Sequence, residues 1–277
     1  MRVNVLGSGA GEGIPAIFCE CALCKEAREK RIFRTRSQIL IDGELLIDFP
    51  PDTRYRALCT GIDLSKVNNI LITHSHSDHC YVADLQMQYA RRGDGEPQTP
   101  IHVHANRTVC ALIDDRQPRD SNLTVHMHKA YETFSAGAFT VTALLATHMP
   151  NEECLIWLIE KQGKTVLYAT DTGYLQEEIL SRLTERGIRL DALIADGTYG
   201  TSDFRDGGHM NFGENEKLRE QFLLRGIADT NTRFFITHIF HGAAPDLASL
   251  EKAVPEGYEL LLSLIHILRA HETELHL

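Results

Sequence analysis

Short apolar runs recur along the chain, separated by polar segments rich in Gly, Pro, Asp and Asn. Val3–Leu6 reads as a strand feeding a glycine-rich turn, Gly7–Gly13. Gln38–Asp48 reads as a hairpin, because Asp42-Gly43 between β-rich runs is a strong type I′ turn signal. Pro50-Pro51-Asp52 opens a helix that runs to Thr60. Further strands are predicted at Asn69–Thr73, Pro100–His104, Phe139–Leu145, Cys154–Glu160, Thr165–Ala169, Ala192–Ala195 and Arg233–His238. Helical spacing falls at Tyr81–Arg91, Leu175–Arg186, Asn211–Leu224 and Asp246–Val254. Gly93–Pro100 suits a loop better than a domain linker. Strands alternating with helices, without repeats, predict an α/β chain: packed sheets flanked by helices, in one domain.

Composition narrows the partners. The 277 residues carry 28 Lys and Arg against 38 Asp and Glu, a net charge of −10. Such a surface repels a long polyanion, so long nucleic acid is not the expected partner, whereas a small phosphorylated substrate remains compatible if metal ions reverse the local field. No apolar run reaches the roughly 18 residues that span a bilayer, and the N-terminus lacks a signal-peptide core, so a cytoplasmic location is expected. Seven cysteines, three of them in CECALC (Cys19, Cys21, Cys24), point to metal binding before disulfides. Cys59, Cys80, Cys110 and Cys154 read as small core residues.

The strongest chemical signal is THSHSDH, Thr73–His79, directly after an apolar strand. His74, His76, Asp78 and His79 leave the strand together, and a turn can aim them at two neighbouring points. Imidazole with carboxylate suits Zn²⁺, Mn²⁺ or Fe rather than Ca²⁺. GSGAGEG (Gly7–Gly13) is not a dinucleotide fingerprint: Glu12 stands at a required glycine, and a cysteine cluster replaces the long helix. It reads as a tight turn near the metal site.

H-x-H-x-D-H at a strand end resembles the metallo-β-lactamase fold superfamily of hydrolases. The later members of that pattern match His148 in LLATH, Asp171 in LYATDTG and His238 in FFITH, each where an apolar strand stops. The resemblance implies an αββα sandwich of two mixed β-sheets flanked by helices, extending over residues 1–261. Within the superfamily, CECALC resembles the phosphodiesterase of the carbon–phosphorus lyase pathway and its relatives. That likeness implies a structural zinc held by Cys19, Cys21, Cys24 and His241, a closed tetrahedral set. It also implies a general acid, His209, in GGHMNF.

Two divalent ions, Zn or Mn, would then be bridged by Asp171, with His74, His76 and His148 on the first and Asp78, His79 and His238 on the second. Such a pair generates a bridging hydroxide near neutral pH that attacks a small or cyclic phosphodiester, and His209 protonates the leaving alkoxide. A tRNA 3′-end endonuclease is the nearest rival, but no basic insertion is present to hold tRNA. Hydrolysis of a lactone, thioester or β-lactam would suit the same ligands, and a metal-binding scaffold without catalysis is the competing reading from outside the enzymes. The oligomeric state is open, a homodimer included. His102, His104, His126, His128, His266, His271 and His276 match no ligand position, and surface display is the expectation for the His102/His104 pair. From about Leu262 the chain, LSLIHI then LRAHET, resembles translated transposon-adapter sequence, so 262–277 is expected to be a non-native tail.

Overall fold

The computed structural model describes residues 1–87, 99–116, 122–261 and, as backbone, 274–276. Its frame is two seven-stranded sheets. The first contains β1 (Arg2–Gly7), β2 (Gln38–Ile41), β3 (Leu45–Ile47), β4 (Asn69–Ile72), β5 (Ile101–Ala105), β6 (Leu123–Met127) and β14 (Glu274–His276). The second contains β7 (Thr133–Ala136), β8 (Phe139–Leu145), β9 (Leu155–Lys161), β10 (Lys164–Ala169), β11 (Ala192–Asp196), β12 (Arg233–Thr237) and β13 (Tyr258–Leu260). The orders are β14-β1-β2-β3-β4-β5-β6 and β13-β12-β11-β10-β9-β8-β7. Both sheets are mixed: β3 to β6 and β10 to β13 run parallel, and the remaining neighbours are antiparallel.

Alternation along each strand sends successive side chains to opposite faces. Between the sheets lie Val3, Ile39, Ile47 and Leu71 against Val141, Leu155, Trp157 and Tyr168. The outer face of the second sheet, including Leu144, Ile156 and Leu193, is covered by α1 (Ala22–Lys30), α5 (Glu177–Glu185), α6 (Phe212–Leu224) and α7 (Leu247–Lys252). The outer face of the first packs Ile70, Ile72 and Val103 on α3 (Val82–Leu85) and α4 (Arg107–Asp114). The layers are therefore helix, sheet, sheet, helix, the αββα arrangement. Each fully buried Val, Leu or Ile contributes about 1.5–3 kcal/mol to holding these layers together.

The hairpin forms at Asp42-Gly43: both take positive φ, and Glu44 N–H closes the turn on the Ile41 carbonyl at 3.0 Å. Helix α2 (Thr53–Thr60) follows the Pro50-Pro51-Asp52 opening. Helix α6 starts at a reciprocal cap, Asn211 accepting from Glu214 N–H while the Glu214 carboxylate accepts from Asn211 N–H. The helix expected over Tyr81–Arg91 is shorter: α3 ends at Leu85, and 88–91 lie outside the described residues. Most of the Gly93–Pro100 loop lies outside them as well. β6 (LTVHM) and β7 (TFSA) carry no strong apolar signal because both are edge strands with partly exposed faces. Of the expected tail, 262–273 and 277 lie outside the described residues, while Glu274–His276 pairs with Arg2–Asn4 of β1.

Candidate metal centre

The cluster is built where parallel and antiparallel strands of both sheets stop at a common edge. Just past β4, the loop of THSHSDH turns on itself, with His79 N–H and Cys80 N–H both donating to the His76 carbonyl. Glu152 fastens the loop, accepting from Ser75 N–H (2.9 Å), Ser75 Oγ and Asn106 Nδ2 (2.7 Å). His148 follows β8, Asp171 follows β10 and His238 follows β12. Asp171 and His238 take left-handed φ of 53° and 59°. Asp48, just after β3, does the same at 63°. Non-glycine residues seldom adopt this conformation, and it concentrates at functional sites.

Two triads result. His74 Nε2 lies 2.9 Å and His148 Nε2 3.2 Å from His76 Nδ1. Asp78 Oδ2 lies 3.1 Å from His79 Nε2 and 4.0 Å from His238 Nε2. Asp171 stands between them: its Oδ2 is 3.1 Å from both His79 Nε2 and His238 Nε2, and its Oδ1 is 3.8 Å from His148 Nε2. Among the described residues, His79 Nε2, His238 Nε2 and Asp171 Oδ2 are buried and make no hydrogen bond of good geometry. Buried polar atoms without partners are costly. Three of them facing one point fit a cation there.

The electrostatics agree. Burial opposes a charge on Asp171, yet the His238 and His79 rings hold its carboxyl well below the usual range. Burial likewise opposes a proton on His79, but Asp171, Asp48 and Asp78 raise its proton affinity well above the ordinary value. The cluster is therefore a field that calls for positive charge. His74 runs the other way: burial drives its proton affinity well down, which leaves a neutral imidazole able to ligate.

Ring orientation is fixed from behind. His74 Nδ1 meets Thr73 Oγ1 at 3.0 Å, His79 Nδ1 meets Asp48 Oδ2 at 2.8 Å, and His238 Nδ1 meets Thr198 Oγ1 at 2.8 Å. His148 Nδ1 donates to the Gly208 carbonyl at 3.2 Å. Each contact leaves Nε2 aimed inward, the arrangement that sets ligand tautomer and basicity. Asp48 and Asp196 are completely buried and were not among the residues expected from sequence. Asp48 also accepts from Thr73 N–H and Thr73 Oγ1. Asp196 accepts from the N–H groups of Asp171, Thr198 and Met210. Both end apolar strands, LLID and LIAD, just as Asp171 ends LYATD. That shared placement is the signal by which the sequence marks them.

His209 lies across the cleft, its ring 4.7 Å from His148 and 5.6 Å from His238. Its Nδ1 is 3.1 Å from both Asp196 Oδ2 and Thr198 Oγ1. Burial opposes its charge, but Asp196 outweighs that and raises the pKa to about 9. The loop that carries it passes over Gly173, where a Cβ would lie 2.0 Å from the Gly207 carbonyl oxygen. His76, Asp78, His148, Asp171, His209 and His238 line a cavity of about 490 Å³, with Gly11, Glu12, Tyr199, Phe204 and Phe240 completing its walls. The glycine turn thus borders the cleft, as read from sequence. A larger cavity of about 810 Å³ beside the β2–β3 turn, lined by Arg2, Asp42 and Lys66, gathers no comparable ligand set.

A second cluster joins Cys19, Cys21, Cys24 and His241 within 4.8 Å of one another. Cys19 Sγ and Cys21 Sγ lie 3.4 and 3.6 Å from His241 Nδ1. A thiolate and an imidazole on one tetrahedral Zn²⁺, at about 2.3 and 2.05 Å, stand about 3.6 Å apart. The donor set and spacing fit. Cys21 caps α1 by accepting from Cys24 N–H, and Ala16 N–H donates to Cys24 Sγ at 3.3 Å. Burial pushes the Cys24 thiol up to about 12, so a bound cation would be needed to hold it as thiolate. Of the other cysteines, Cys80, Cys110 and Cys154 are buried, while Cys59 is partly exposed.

Comparison with known proteins places this geometry. The octanoyltransferase of Porphyromonas gingivalis is 40% identical over 83 residues, 28% of this chain and only 16% of that protein. The coenzyme PQQ synthesis protein B of Methylorubrum extorquens is 27% identical over 284 residues, covering 90% of this chain and 85% of that protein. Two solved structures share the fold at low identity. A diphosphatase of the PhnP family matches at a TM-score of 0.75 and 22% identity, over 99% of this chain and 97% of its own. Zinc-bound PqqB from Methylobacterium extorquens matches at 0.73 and 20%, over the whole of both chains. The model of the β-lactamase superfamily domain matches residues 44–239, so the chain belongs to that superfamily of metallo-β-lactamase fold hydrolases.

Proposed function

We propose that this chain is a phosphodiesterase that hydrolyses small or cyclic phosphodiesters with two divalent ions, Zn or Mn, and keeps a structural zinc apart from the reaction. One observation carries the reading: two ligand triads meet on the opposite oxygens of one buried carboxylate, Asp171. His74, His76 and His148 would hold one ion, Asp78, His79 and His238 the other. Ions held there supply a water of lowered pKa and neutralise charge on the reacting phosphate. The protein's own groups do the remaining work. His209, held charged by Asp196, gives its Nε2 proton to the leaving oxygen. Tyr199 and Phe204, edge to face with centroids 5.0 Å apart, offer an apolar wall to the organic part of a diester. Cys19, Cys21, Cys24 and His241 would close the structural zinc.

The size of the cleft and the net charge of −10 favour a small substrate over a long polyanion. All seven cysteines are free, which suits a reducing compartment and the expected cytoplasmic location. Among the described residues no helix is long and apolar enough to cross a membrane. The experiment is hydrolysis of bis-p-nitrophenyl phosphate after Mn²⁺ or Zn²⁺ loading, with Asp171→Ala as control. Asp171→Ala should lose bound metal and nearly all turnover while its circular dichroism is retained. Full activity in that variant would refute the two-ion reading.

A further inference from the structure

Outside the dinuclear cleft, the cavity beside β5 and β6 is walled by imidazoles that bond one another, His102 Nδ1 to His126 Nε2 at 2.9 Å and His104 Nδ1 to His128 Nε2 at 3.0 Å. His104, expected at the surface, is only 4% exposed. A groove of about 290 Å³ differs from that cavity in adjoining the cleft, because Glu12 stands in the walls of both.

The partition between groove and cleft is a single turn of chain. On the cleft side, a Cβ on Gly11 would lie 3.1 Å from Asp78 Oδ2, so the backbone passes directly beside a ligand residue. On the groove side, Arg36 Nε donates to the Gly11 carbonyl at 3.0 Å. Gly13, also in the groove wall, is two residues from Gly11 and so at most about 7 Å away. One sugar ring bridges such a step.

The groove is apolar and uncovered along Ile17, Phe33 and Tyr55, which are 70%, 38% and 57% exposed. Exposed apolar side chains are ordinary singly, but three gathered along one groove mark a binding surface. Arg36 and Asp52 line it as well. Arg36 Nη1 meets Asp52 Oδ1 at 3.1 Å and Oδ2 at 3.3 Å, while its Nη2 has no partner among the described residues. Aromatic faces, a free donor and a carboxylate acceptor are the groups that hold a nucleobase, stacked on its face and hydrogen-bonded on its edge.

The reaction decides which arm of a diester would lie there. His209, the donor to the leaving oxygen on the phosphodiesterase reading, has its ring 5.6 Å from Tyr199, which places the leaving arm along the Tyr199–Phe204 wall. The arm kept on phosphorus needs another exit, and the groove past Glu12 supplies one. We propose, resting on that reading, that the groove is the subsite for the retained arm and that this arm is a nucleoside, its base against Phe33 and Tyr55. Water then adds across the bond to the leaving arm: hydroxide joins phosphorus, the leaving oxygen takes the proton, and a nucleoside monophosphate remains.

The test uses three esters that release the same p-nitrophenolate and differ in the retained arm: the p-nitrophenyl esters of thymidine 5′-phosphate, phenyl phosphate and methyl phosphate. With Mn²⁺-loaded protein, kcat/KM should be at least about tenfold higher for the thymidine ester than for the methyl ester, the scale of one base–aromatic stack, with the phenyl ester between them. Tyr55→Ala and Phe33→Ala should each lose about tenfold on the thymidine ester and leave the methyl ester unchanged. Thymidine itself, which carries no phosphate, reads the groove without turnover: in saturation-transfer NMR its base protons should respond to the wild type and less to either variant. No preference for thymidine over methyl, an equal preference for phenyl, a preference that survives both variants, or equal loss on the methyl ester would overturn the proposal. If no ester is cleaved, the phosphodiesterase reading fails, and thymidine decides the groove: binding that weakens in the variants supports a nucleoside site, and no binding to the wild type overturns it.

Discussion

Substituting His209 by Gln removes an ionisable proton and keeps an N–H near Asp196 and Thr198. With a pKa raised to about 9, His209 is charged in about nine tenths of molecules at pH 8 and in about half at pH 9. The acid must be protonated to act, so its contribution is fully present below pH 8 and lost as pH rises through 9. General acid catalysis is worth about 10²–10⁴-fold, and the benefit grows as the leaving group becomes more basic. A 2′,3′-cyclic nucleotide expels a basic alkoxide. Bis-p-nitrophenyl phosphate expels a stable phenolate that needs little help. The variant should therefore lose about 10²–10⁴-fold in kcat/KM on the cyclic diester and far less on the nitrophenyl diester. The alkaline limb near pH 9 should appear for wild type on the cyclic diester and vanish in the variant. Steady-state rates from pH 6 to 10 on both substrates, with metal content measured alongside, supply the check. Equal slowing of the two substrates, or a limb that survives in His209→Gln, would show that His209 binds or supports structure rather than donating a proton.

Three further outcomes are expected. Cys24→Ser should release about one zinc per chain and lower Tm, because a structural zinc contributes folding free energy directly; His76→Ala should abolish turnover with little change in Tm, and an unchanged zinc content and Tm in Cys24→Ser would refute the structural site. Asp48→Asn, which weakens the partner of His79 Nδ1, should reduce metal affinity about 10–100-fold without touching a ligand, measured by competition with a chelating dye. Truncation after Leu261 should leave metal content and diesterase activity intact, although it removes the three-residue pairing of Glu274–His276 with β1; loss of metal or activity would make the tail a working part of the fold.

Much of this molecule is legible along the chain because its interior strands are buried on both faces and its ligands sit directly after them. An apolar run such as NILIT or FFIT fits little besides a central strand, and a histidine or aspartate at its end has little choice but the common edge of the sheets. Hence β4, β8, β10 and β12, and the residues His74, His148, Asp171 and His238 that follow them, lie close to where the pattern put them. The edge strands β6 and β7 escaped because their half-exposed faces carry mixed residues.

Tertiary structure alone decided what stands behind each ligand. LLID and LIAD look like LYATD along the chain, yet Asp171 faces the two triads while Asp48 and Asp196 turn behind the rings of His79 and of His209. That difference is set by which strand neighbours which, something a linear pattern does not carry. The four histidines on β5, on β6 and just past its end make the same point. Their alternation was visible, but whether that face met solvent or the second sheet depended on β7 lying across it, with Phe134 stacked on His128. Contacts between residues distant in sequence are made by packing, so the burial and partnering of a polar side chain belong to the folded molecule rather than to its neighbours in the chain.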